Sequence, residues 1–110
     1  MMKFVVAILI LFIIFACDFK HEVKYTADCT SGTVDLTIAN EDEGTAQYTD
    51  VPTPWKYEFE AQKDQFLYVS AQNNQDNGTV TVKIYINDDL YKKASSTGAY
   101  VIATAYGSVE

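Results

Sequence analysis

The sequence predicts an all-β fold: an antiparallel β-sandwich of seven or eight strands behind an N-terminal signal segment. Three observations lead there. Short runs alternate apolar and polar residues with a period of two, most cleanly at Val80, Val82, Ile84 and Ile86. That alternation turns one face of a pleated strand inward and leaves the other in water. Turn-forming clusters separate the runs, among them Asn77-Gly78 and Asn87-Asp88-Asp89. No stretch after Cys17 shows a helical period. Many short strands with turn signals between them hide their apolar faces by stacking two sheets.

The chain opens with Met1-Met2-Lys3 and an unbroken apolar run from Phe4 to Phe15, closing at Ala16-Cys17. The run is too short for a comfortable membrane span of about 20 residues and has the form of a signal-peptide core. Ile14-Phe15-Ala16-Cys17 resembles the bacterial lipobox: a branched aliphatic residue, a variable residue, a small residue, then cysteine. The resemblance implies that residues 1–16 are a lipoprotein signal peptide. It implies that the Cys17 thiol receives diacylglycerol and that the new amine is acylated, for example by palmitate. An uncleaved anchor helix and a soluble secreted form are the alternatives. Residues 17–22 are then a short tether, with His21 a solvated linker residue, and residues 23–110 the sandwich domain. Asp18 after the lipid cysteine resembles an inner-membrane retention signal of some bacteria and has no such meaning in others.

Val23 and Tyr25 alternate with Lys24 and Thr26 before a break at Asp28-Cys29-Thr30-Ser31-Gly32. Val34, Leu36 and Ile38 form the next strand. Glu41-Asp42-Glu43-Gly44 reads as a turn whose acids are a solvated tip; the full ligand spacing of a calcium loop is not there. Thr45 to Val51 is a weaker strand. Pro52 and Pro54 cannot donate to a ladder and end it. Trp55 follows, either a core anchor near the end of the sheet or an exposed binding aromatic. Tyr57, Phe59 and Ala61 alternate against Lys56, Glu58 and Glu60, and Gln62-Lys63-Asp64 turns the chain. Phe66 to Ala71 is apolar on both faces, as a central strand would be. After the polar loop Asn73–Gly78 comes the Val80–Ile86 strand, then a hairpin into Leu90-Tyr91-Lys92-Lys93. Ser95-Ser96-Thr97-Gly98 reads as a loop, and Tyr100 to Tyr106 as the last strand. The expected core is Val34, Leu36, Ile38, Trp55, Phe59, Leu67, Val69, Val82, Ile84 and Val101.

With 15 acids, 8 lysines, no arginine and a net charge of −7, the chain is acidic, and more so without the segment through Cys17. That disfavours nucleic acid or an anionic membrane surface as a partner, since both need clustered Lys and Arg. No motif for catalysis, a cofactor or a metal is present. An enzyme would need a base–nucleophile pair, a ligand cluster or a phosphate-cradling loop.

Five stretches carry a family resemblance: Val23-Lys24-Tyr25, Val51-Pro52-Thr53-Pro54-Trp55, Ser70-Ala71-Gln72-Asn73, Thr79-Val80-Thr81-Val82-Lys83-Ile84 and Ser95-Ser96-Thr97-Gly98-Ala99-Tyr100. In order and spacing they resemble the mycobacterial membrane protein small (MmpS) family. The resemblance implies an immunoglobulin-like sandwich outside the cytoplasmic membrane and an accessory role beside RND-type exporters. Thr53 stands where that family has leucine. Val82 and Ala105 stand where it usually has two late cysteines, and an apolar pair on inward faces would replace a disulfide without leaving a hole. The lipobox replaces a simple membrane anchor. Cys29 then has no mature partner; it is a free thiol, one half of a bridge to an unprocessed Cys17, or one half of an intermolecular bridge.

The expected function is a lipid-anchored envelope module, periplasmic or otherwise extracytoplasmic, that binds or assists a transporter. The alternative is a structural or host-facing surface lipoprotein with no small-molecule ligand.

Overall fold

The computed structural model describes residues 20–110, and the expected signal peptide and lipidation site at Cys17 lie outside that range. Eight strands follow in order: β1 Lys20–Cys29, β2 Val34–Ala39, β3 Thr45–Val51, β4 Trp55–Gln62, β5 Phe66–Asn73, β6 Thr79–Ile86, β7 Asp89–Thr97 and β8 Ile102–Ser108. They form two four-stranded antiparallel sheets, ordered β4-β1-β6-β7 and β3-β2-β5-β8. The fold is the β-sandwich the alternation predicts. Only β2–β3 and β6–β7 are hairpins within one sheet; every other connection crosses between sheets.

The inward-facing residues form one core. Val23, Tyr25, Val34, Leu36, Ile38, Leu67, Val69, Val80, Val82 and Ile84 are all at most 1% exposed. Val82 and Ala105 are both buried, so the two positions expected to pack as an apolar pair are in the core. Trp55 and Val101 are only partly buried and pack against the core from its rim. Both sit where a strand starts or a loop ends, and fewer neighbours cover them there.

Several boundaries differ from the expectation. Lys20, His21 and Glu22, expected in a tether, are paired in β1 with Gln62, Ala61 and Glu60. β1 also runs on through Asp28 and Cys29, opposite Thr81 and Val80. Ser95, Ser96 and Thr97, expected in a loop, extend β7. Their polar side chains suit a strand because hydroxyls pair across it: Thr81 with Ser95 at 3.0 Å and Thr79 with Thr97 at 2.9 Å. β8 starts at Ile102 because Tyr100 adopts a left-handed conformation (φ 55°) that no strand accepts. β5 is central, as expected, yet Phe66 faces solvent at 45% exposure, and the outward face continues in Tyr68, Ser70 and Gln72.

The Asn87-Asp88 turn has positive φ at both residues (51° and 69°). That is the geometry a two-residue hairpin needs to match the twist of its strands.

Candidate functional site

The site is built from the loop Pro52-Thr53-Pro54 and the aromatic residues that follow it. β3 ends in a bulge opposite Val34 and Leu36. Asp50 sits there with φ 54°, held because its N–H donates to Asp35 Oδ1 at 3.0 Å. Asn74 Nδ2 donates to the same carboxylate at 2.9 Å and to Asp50 Oδ1 at 3.1 Å. The Asp50 backbone N–H, then the Asn74 amide, holds the Asp35 carboxyl below its usual range. Thr53 Oγ1 lies 3.3 Å from the Cys29 carbonyl and 3.2 Å from that of Gly32. The Thr53 hydroxyl thus ties the loop to the end of β1. The Thr53–Pro54 peptide is cis.

Beyond the loop, β4 turns Trp55, Tyr57, Phe59 and Ala61 inward. Trp55 and Tyr57 stack, 6.2 Å between centroids and 8° between planes. Tyr48 of β3 tilts against Trp55 at 6.0 Å. Tyr57 continues to Phe59 at 5.7 Å and to Tyr25 at 6.4 Å. These separations lie in the favourable range for ring pairs. Contacts between the two sheets lie mainly along β5–β6, β7–β8 and β6–β8. On the opposite side, between edge strands β3 and β4, aromatic rings fill the space. Exposure grades along the column, from Tyr25 at 0% to Tyr48 at 37%.

Two hydroxyls fasten the column. Tyr25 Oη donates to the Ala39 carbonyl at 2.7 Å and accepts the Tyr68 N–H at 3.2 Å, joining the two sheets. Burial pushes its pKa up to about 12. Tyr57 Oη donates to Glu41 Oε1 at 2.5 Å. That bond raises the Tyr57 phenol to about 12 and lowers the Glu41 carboxyl. Glu41 is therefore not a bare solvated acid: it closes one end of the column. Glu43 is also engaged, accepting the Phe66 N–H at 3.3 Å, and Asn40 Oδ1 organises the turn by accepting the N–H groups of Asp42 and Gly44.

Of the residues singled out in the sequence, Trp55 is at this site and half-buried, between the core and surface readings. Tyr48, Tyr57 and Glu41 were missed as its companions. The Trp55-x-Tyr57-x-Phe59 spacing signalled the β4 part of the column. Nothing local signals Tyr48 or Glu41, which arrive from another sheet. Cys29 and His21 lie at opposite ends of β1, so they cannot form a nucleophile–base pair. Cys29 is a free thiol, 3.5 Å from Asn73 Oδ1 and 3.6 Å from Ser31 Oγ. Nine residues of strand put its Cα about 30 Å from that of Lys20. Cys17 can lie at most about 11 Å from Lys20 along the chain. A bridge needs the two Cα atoms within about 7 Å, so the intramolecular Cys17–Cys29 bridge is ruled out. His21 Nδ1 is 3.2 Å from Asn87 Nδ2, a strand contact and not a linker position. Among the described residues, no group of three or more His, Cys, Asp or Glu is placed to hold a metal ion.

Of the stretches quoted for the resemblance, Val51–Trp55, Ser70–Asn73, Thr79–Ile84 and Ser95–Tyr100 reach one end of the sandwich, whereas Val23–Tyr25 lies toward the other. Asn73, fully buried at the end of β5, donates from Nδ2 to the Asn77 and Gly98 carbonyls at 2.7 and 3.1 Å. Its Oδ1 accepts the Gln75 N–H at 2.9 Å. Asn73 thus ties together the loops that follow β5 and β7. No protein-family model matches the chain, and no curated protein matches it.

Proposed function

We propose that this chain is a lipid-anchored extracytoplasmic β-sandwich module that binds through its β3–β4 edge and assists an envelope exporter. The observation that carries the binding part is the graded aromatic column, whose outer members Tyr48 and Trp55 remain reachable while the inner ones are locked. Flat, rigid rings with polar tips offer large contact area at small conformational cost. Ile14-Phe15-Ala16-Cys17 supports the anchor. The five MmpS-like stretches, in their order and spacing, support an RND-type exporter as the partner.

The two parts are tested separately. Cells fed a clickable fatty acid should label the wild type and leave Cys17→Ser unlabelled; equal labelling of both removes the anchor. A photo-crosslinking residue at position 48 in intact envelopes should join the chain to an exporter subunit. Crosslinks to surface or extracellular material alone would favour the second reading, a structural or host-facing lipoprotein.

A further inference from the structure

We propose that the outer face of the β4-β1-β6-β7 sheet binds a linear acidic polysaccharide, seated on a row of lysines that crosses all four strands. The register aligns Lys56 with Thr26, Thr26 with Lys83, and Lys83 with Lys93. Three strand spacings make the row about 14 Å long. In a chain of net charge −7, three of its 8 lysines lie on this one line. Lys83 and Lys93 are directly opposite, a like-charge pair that weakens the sheet. The ion pairs among the described residues, Lys20–Glu60 and Lys56–Glu58, do not relieve them. An external anion would.

The neighbouring rows select the kind of anion. Asp28, Thr81 and Ser95 align beside the lysines. Two shallow depressions flank the row and share Thr26, Asp28 and Lys83. Hydroxyls of a sugar can donate to Asp28 and exchange hydrogen bonds with Thr81 and Ser95, while its carboxylates meet the lysines. A polyphosphate backbone would meet Asp28 as a repelling charge. A flat anionic membrane would also meet Glu58, Glu60 and Glu22, which lie one and two rows away on the same face and outnumber the one lysine among them, Lys24. A narrow chain lying along the row meets Lys83 and Lys93 unpaired and Lys56 already paired with Glu58 at 3.1 Å, with Asp28 alongside.

The test uses the full chain in neutral detergent over immobilised polygalacturonate at low salt. The wild type should be retained, and should be released as salt rises. K83Q/K93Q should bind roughly fivefold more weakly, as loss of two exposed charges implies, with its thermal midpoint showing that it stays folded. K20Q/K63Q, near the other end of the sheet, should bind like the wild type. Retention no greater than on neutral dextran, or K83Q/K93Q binding undiminished, overturns the proposal. Single-stranded DNA or anionic vesicles competing as well as soluble polygalacturonate overturn the choice of a glycan.

Discussion

At the scale of single residues, most of the specificity lies in polar atoms that the alternation does not show. Tyr25 has the position of any inward residue on β1, yet its hydroxyl reaches across to the other sheet and bridges the backbones of β2 and β5 there. Removing it would leave a buried carbonyl and a buried N–H without that partner, the costly way to lose a hydrogen bond. The Tyr57–Glu41 bond has a pH signature. Because the folded phenol titrates near 12, above its ordinary value of 10, its stabilising contribution is complete below pH 10 and is lost as pH rises through about 12. Glu41 behaves in the opposite sense: its lowered carboxyl supports the fold above its ordinary value of 4.5, and that support fades as pH falls through the folded value. Glu41→Gln should move the Tyr57 midpoint downward, read from the ring carbon resonance of labelled tyrosine. An unchanged midpoint would mean that Glu41 is not the cause.

At the scale of elements, the strands were legible wherever one face is apolar and the other is not. Val34-x-Leu36-x-Ile38 and Val80-x-Val82-x-Ile84 were read correctly from period two alone, and all six residues are buried. Ser95–Thr97 was not, because a run of small polar residues reads as a loop until a partner strand supplies hydroxyls opposite it. Lys20–Glu22 was missed because its pairing partners lie forty residues away on β4. The like-charge pair on β6 and β7 makes its own prediction. Lys93→Glu places an opposite charge beside Lys83 and should raise stability by roughly 0.2–1 kcal/mol, measured as a higher urea midpoint with unchanged slope. A lower midpoint would show that the two lysines do not repel. If the midpoint rises while retention on polygalacturonate falls, the pair is a sacrifice of stability for binding.

At the scale of the whole molecule, the eight strands alternate strictly in direction, which sorts the loops onto two unlike ends. Asn40–Gly44, Lys63–Gln65 and Asn87-Asp88 share the end where β1 begins, and they carry five acids: Glu41, Asp42, Glu43, Asp64 and Asp88. Thr30–Thr33, Pro52–Pro54, Asn74–Gly78 and Gly98–Val101 share the other end, where Asp76 is the single charged residue. Under the proposed lipidation, the reach from Cys17 to Lys20 holds the acidic end close to the bilayer. The far end, with its asparagine, threonine and tyrosine loops, then points away. Strands of eight residues separate the ends by about 26 Å. A dye at Asp88→Cys, in a Cys29→Ser background, should be quenched strongly by a lipid-borne quencher, and one at Asp76→Cys weakly. Equal quenching would mean that the domain lies flat.

The sequence by itself determined the two-layer all-β architecture, since a period of two leaves an apolar face that only a second sheet can cover. It also set the acidity and most of the core. Only the tertiary structure decided that Tyr48 and Glu41 join Trp55 and Tyr57, that Cys29 and His21 stand apart, and that Lys56, Lys83 and Lys93 fall on one line. Those are matters of register and of which strands become neighbours. Both follow from the packing of the entire chain and leave no mark on a short stretch of it.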